Sequence, residues 1–163
     1  IFRVSSFTSV NNDYRYQAYF TRTKWEHSVV TLTKLYDKNY DEEQTVPSGR
    51  TPGINLVRLP ELFYILAESV YDRDPAAALD YLNRVVTARG LLPLEAGDID
   101  TPGKFRDELI NEITKEYWGE GQIFFTNKRF WLAMEGVNGK RHAASDETYV
   151  LPLPESENSE GIN

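Results

Sequence analysis

The chain has no cysteine, two histidines, one methionine and too few basic residues to balance its acidic ones. Each shortage closes a route. Without thiols there can be no disulfide, no thiolate metal site and no cysteine nucleophile. The redox compartment stays open, because a thiol-free chain is stable in either. His27 and His142 lie in different polar segments and read as solvated loop histidines, not as a metal pair or a general base. Eighteen Lys and Arg stand against 25 Asp and Glu, a net charge of −7. With no basic block, that balance argues against nucleic acid as a partner. No apolar run approaches the length of about 18 residues that a membrane-spanning helix needs. The first residue is Ile1 and no charged-then-apolar leader follows, which reads as a processed or excised piece.

What is present is a globular composition, 40% hydrophobic and 26% charged over 163 residues. That is enough for one domain burying roughly 70% of its unfolded surface. The expectation is a single domain over 1–163, with a strand and loop region (1–53), a helical region (54–136) and an irregular tail (137–163). Tyr14, Tyr16, Ala18 and Phe20 alternate with Arg15, Gln17, Tyr19 and Thr21, the period-2 signature of a half-buried strand. Residues 29–36 (VVTLTKLY) are β-branched enough to be its hairpin partner. Residues 37–53 are polar, with two prolines and two glycines, and read as an exposed loop.

From residue 57 the period changes. Val57, Leu59, Leu62, Phe63, Ile65, Leu66 and Val70 cover more than one helical face, which predicts a largely buried helix. Asp74-Pro75 supplies an N-cap and a first-turn proline; Leu79, Leu82, Val85 and Val86 give the next stripe, and Gly90 a left-handed stop. The two helices form an αα-hairpin of tetratricopeptide size, with no second copy at that period. Thr101-Pro102 repeats the capping device before a third helix whose stripe is Phe105, Leu109, Ile113 and Tyr117. Gly119 and Gly121 interrupt it. Residues 122–135 are expected to form a fourth helix, completing a second pair, and residues 149–153 (YVLPL) an edge strand. The predicted fold is mainly α, built of αα-hairpins with a small N-terminal β-hairpin and an irregular C-terminal tail.

Several segments together resemble the SusD/RagB family: NDYR at 12–15, TLTKLY at 31–36, VRLPELFYILAES at 57–69, ALDYLNRVVTARG at 78–90, ITKEYWGEGQIFFTNKR at 113–129 and LPLPESE at 151–157. Thr126-Asn127 departs from the family's usual residues before Lys-Arg. The resemblance implies a surface-exposed outer-membrane lipoprotein of the Bacteroidetes type. Such a protein captures an oligosaccharide or similar nutrient and delivers it to a TonB-dependent outer-membrane transporter, without catalysis or cofactor. It also implies that the chain corresponds to the family's C-terminal part, so that membrane attachment would run through an N-terminal lipid anchor lying outside it. The alternative is a tetratricopeptide-type scaffold that binds a protein and no sugar.

Among candidate site residues, Arg58, Glu61 and Glu68 lie on one side of an otherwise apolar helix. Buried charges persist only when paired, so all three are expected to be mostly buried against opposite charges on other elements. Arg84, Arg89 and Arg129 are available cations, and Glu116 and Glu120 further anions. The structural reading is an inter-helix ion-pair network; the functional one is a carboxylate site. Glu116 and Glu120 project from one helix without a facing cleft, which leaves no glycosidase pair. No set of three residues converges on a metal, and no phosphate loop or nucleophile elbow occurs. Phe63, Phe105, Tyr117, Phe124, Phe125, Trp118 and Trp131 are assigned to the core. Trp25 and then Tyr19, both in polar company, are the candidate sugar-stacking rings.

Overall fold

The computed structural model describes residues 13–22, 30–34, 57–136 and 138–152. It is mainly helical, with a small antiparallel hairpin near the start. The described residues fall into two compact units divided between Gly121 and Gln122. The first unit carries α1 (Tyr14–Tyr19), β1 (Phe20–Arg22), β2 (Val30–Leu32), α2 (Leu59–Val70), α3 (Pro75–Ala88), a 3-10 turn (Ala96–Asp98) and α4 (Pro102–Glu116). The second carries α5 (Gln122–Arg129), β3 (Met134–Glu135), β4 (Arg141–His142) and α6 (Asp146–Tyr149).

The helix starts follow from local chemistry. The Asp74 carboxylate accepts from the Ala77 amide at 3.0 Å ahead of Pro75, and the Thr101 hydroxyl accepts from Lys104 at 3.3 Å ahead of Pro102. α2 packs chiefly on α3 and also on α4. Ala67 of α2 and Ala78 of α3 are fully buried small residues, and Leu82, Val85, Val86, Leu109 and Ile113 complete the core. Tyr71 stacks on Phe105 with ring centroids 3.9 Å apart, and its hydroxyl donates to the Ile99 carbonyl at 2.8 Å. The buried tyrosine is therefore satisfied. Asn83 holds the connector by taking the Leu94 amide at 2.7 Å and giving to the Leu94 carbonyl at 3.0 Å.

Four elements differ from the sequence expectation. Residues 14–19 are a short helix, not a strand, and only Phe20–Arg22 is extended, pairing Phe20 with Leu32 and Arg22 with Val30. The cause is tertiary. Asp13 caps the turn by accepting from the Arg15 amide at 3.0 Å, and the Tyr14 amide donates to the Arg89 carbonyl at the end of α3, 2.9 Å away. These ties outweigh the weak β preference of an alternating segment. α2 is not buried all round: Leu59, Leu62, Ile65 and Leu66 are exposed, because α3 and α4 cover only the Tyr64–Ala67–Tyr71 side. α5 stops at Arg129, well short of residue 135, and 134–135 pair with 141–142 in a second small hairpin. Tyr149, expected to begin an edge strand over 149–153, instead ends one helical turn (Asp146–Tyr149) capped by Ser145, whose hydroxyl accepts from the Thr148 amide at 3.3 Å. Phe125 and Trp131, expected in the core, are exposed. The loop reading of 37–53, and Trp25 and His27, lie outside the described residues.

Gly90 ends α3 at φ +78, and a Cβ there would meet the Tyr14 ring at 2.6 Å. Gly90→Ala combines a left-handed backbone with that clash, and should lower stability by about 1–3 kcal/mol in urea unfolding. A loss within error would mean that α1 does not rest on the end of α3.

Candidate functional site

α4 places Glu112 and Glu116 on the same side as Leu109 and Ile113, so two carboxylates enter an otherwise apolar stripe. Ionised groups there require partners. Glu116 is 0% exposed and forms the centre. Arg89, one residue beyond α3, reaches it with Nε and Nη2 at 2.9 Å each, a bidentate pair. Arg58, ahead of α2, adds Nη1 at 3.2 Å, and Arg15 of α1 lies at 3.6 Å. Both oxygens of Glu116 thus accept from arginine.

Arg15 is itself only 1% exposed. It gives Nε and Nη2 to Asp13 at 2.9 and 2.8 Å, and Nη1 to Glu112 at 2.9 Å. Lys115 takes the other side of Glu112 at 2.7 Å. Beyond the end of α4, Glu120 is paired by Arg58 at 3.1 Å and by Lys34, just past β2, at 2.5 Å. Five cations (Arg15, Lys34, Arg58, Arg89, Lys115) and four carboxylates (Asp13, Glu112, Glu116, Glu120) therefore close on one another. Two aromatic faces line the cluster: Lys34 Nζ lies 4.0 Å from the Tyr19 ring centre, and the Arg58 guanidinium 4.5 Å from that of Tyr117.

The charges are tuned accordingly. Burial pushes the Glu116 carboxyl up, but the hydrogen bonds and charge of Arg89, followed by Arg58 and Arg15, outweigh it and hold the carboxyl below its usual value. For Arg15, burial acts against the charge and is outweighed by Asp13 and Glu112, so the guanidinium is held more firmly protonated than usual. Lys34 goes the other way, since burial lowers it more than Glu120 restores. Burial, with Glu61 adding to it, pushes the Tyr117 hydroxyl up to about 12.

The linkage has a definite sign. A carboxyl depressed on folding contributes stability above its unfolded value, here 4.5, and loses it as the pH falls through the folded value. Stability should therefore be flat in this term from pH 8 to 5 and fall below pH 4.5. The check is a series of urea midpoints. In Glu116→Gln the acid limb should be shallower, and an identical limb would assign it to other groups.

The structure brings Arg58, Arg89, Glu116 and Glu120 together. Glu61 is half-buried, with no ion pair among the described residues, and Glu68 is half-buried on α2. Arg84 makes an exposed pair with Asp80 along α3 at 3.1 Å. Arg129 belongs to the second unit, its guanidinium 4.1 Å from the Phe130 ring centre. Tyr19 lies in the cluster beneath Lys34, and Trp25 is outside the described residues. Sequence reasoning missed Asp13, Arg15, Lys34, Glu112 and Lys115. A signal existed for one: Glu112 falls three residues after Leu109 and four before Glu116, a charge in the middle of a core stripe.

Among the described residues no group of His, Cys, Asp or Glu could hold a metal ion, and no helix is long and apolar enough to cross a membrane. The first unit is thus a set of helices docked through mutually paired charges. The sequence model of the SusD family matches residues 7–161, and the chain belongs to that family, one of nutrient-binding proteins. No curated protein and no solved structure matches it.

Proposed function

We propose that this protein binds a glycan or similar nutrient at the outer-membrane surface, where a lipid anchor holds it, and passes the ligand to a TonB-dependent transporter. The observation that carries this reading is the family match over residues 7–161. The chemistry of the cluster supports binding without turnover. A carboxylate whose oxygens both accept from arginine is poorly placed to exchange a proton with a substrate, and Glu116 is such a group. The role calls for no cofactor and no metal.

The test is a glycan array probed with the protein, followed by co-purification from outer membranes that carry TonB-dependent transporters. Binding to a defined oligosaccharide without its hydrolysis, and recovery of the transporter, are the expected results. Hydrolysis that is lost in Glu116→Gln would overturn the non-enzymatic reading. A second reading, a tetratricopeptide-type scaffold that holds a protein and no sugar, draws on the exposed Leu59, Leu62, Ile65 and Leu66 of α2. It would gain from an array without glycan binding together with a protein partner that Leu62→Asp and Ile65→Asp abolish.

A further inference from the structure

Trp131 occupies a position that glycine ordinarily fills. α5 closes with the Leu132 amide donating to the Asn127 carbonyl at 2.9 Å and the Trp131 amide to the Lys128 carbonyl at 3.2 Å. This paired closure requires a left-handed residue after the last turn, usually glycine. Trp131 takes that conformation at φ 52, where a bulky side chain strains the backbone. The indole does not recover the strain by filling the core, since 53% of the residue's surface is open. Its support is firm nonetheless. The ring lies 5.7 Å from that of Tyr149, which is 1% exposed and whose hydroxyl donates to the Leu132 carbonyl.

A strained backbone that presents a half-open indole on a fixed buried ring points to a use for the open surface. We propose that Trp131 is a stacking platform for a pyranose ring of an oligosaccharide. The C–H face of a pyranose is apolar and suits the electron-rich indole face, while the hydroxyls at its rim need polar partners. The last turn of α5 carries the exposed Lys128 and Arg129 and the half-buried Asn127, donors for hydroxyl or carboxylate oxygens. With one stacked ring as its main apolar contact, the site should bind no more tightly than roughly millimolar. The proposal rests on the glycan reading above and names one contact within it.

The experiment titrates the protein with malto-, xylo-, cello- and galacturonate hexasaccharides, following the three indole N–H resonances by NMR. The expected result is a shift of the Trp131 signal with at least one sugar, and affinity weakened about 10-fold or more in Trp131→Gly. Glycine suits the left-handed backbone, so this variant should melt no lower than Trp131→Ala, and its lost binding would not be lost folding. Trp131→Phe should recover part of the affinity. Wild-type affinity in Trp131→Gly would overturn the platform and leave the glycan reading standing, whereas a wild-type chain that binds none of the panel would overturn both. Unchanged sugar affinity with a changed oligomeric state would assign the indole to a protein contact and overturn the platform alone.

Discussion

Glu116→Ala should lower unfolding stability by about 3–5 kcal/mol, an effect near the top of the range for single substitutions. The carboxylate is fully buried and faces Arg89 at 2.9 Å, Arg58 at 3.2 Å and Arg15 at 3.6 Å. Its removal leaves three guanidinium groups crowding one another with less anion among them. Arg58 and Arg89 are partly open to water, at 19% and 27% side-chain exposure, which moderates the loss. Arg15 has no such relief. Asp80→Ala serves as the contrast, because the exposed Asp80–Arg84 pair at 3.1 Å belongs to the class worth about 0–1 kcal/mol. Urea unfolding of both variants decides the matter. A Glu116→Ala loss no larger than that of Asp80→Ala would show that the cluster is not what docks the helices.

The second large effect is expected at Arg15. Arg15→Met removes the cation between Asp13 and Glu112 and unties α1 from α4, and should cost about 3–5 kcal/mol. The informative measurement is the double variant. Glu112→Leu alone takes an anion from Arg15, which keeps Asp13, and from Lys115, but with Arg15→Met it places two apolar side chains face to face. The combined loss should fall short of the sum by at least about 1 kcal/mol. Strict additivity would mean that the pair at 2.9 Å carries no coupling.

Much of the helical frame was legible because its signals are local. Asp74-Pro75, Thr101-Pro102 and Gly90 are caps and stops whose chemistry lies within a few residues, and the stripe Phe105, Leu109, Ile113 and Tyr117 is buried throughout. Where the sequence misled, the deciding contact was distant or atypical. The exposure of α2 shows the limit of periodicity, which counts apolar residues and not the elements available to cover them. α5 ends without a glycine signal because Trp131 takes the glycine's place. The cluster divides in the same way. Its anions on α4 are readable from helical spacing, whereas Arg15 lies 97 residues from Glu112, and Lys34 82 from Glu116. Residues 12–15 and 31–36 carry the family resemblance, yet nothing in their spacing tells what Arg15 or Lys34 touches.

The closure of α4 bears on how the protein breathes. A helix end usually frays first, its last carbonyls turned to water. Here the Glu116 carbonyl accepts from Lys34 at 2.6 Å and from Arg58 at 2.9 Å, and Lys34 also reaches the Trp118 carbonyl at 3.4 Å. The stop at Gly119 lies so close to the first hairpin that a Cβ there would meet Leu32 at 2.6 Å. Side chains from two other parts of the chain thus finish the helix. Its final turn cannot loosen unless the hairpin and the start of α2 let go as well. Amide hydrogens from Ile113 to Glu116 should then exchange with solvent as slowly as those in the middle of α3, through the same cooperative opening. A terminus that would ordinarily be the weakest point of the helix becomes the place where three segments must separate at once.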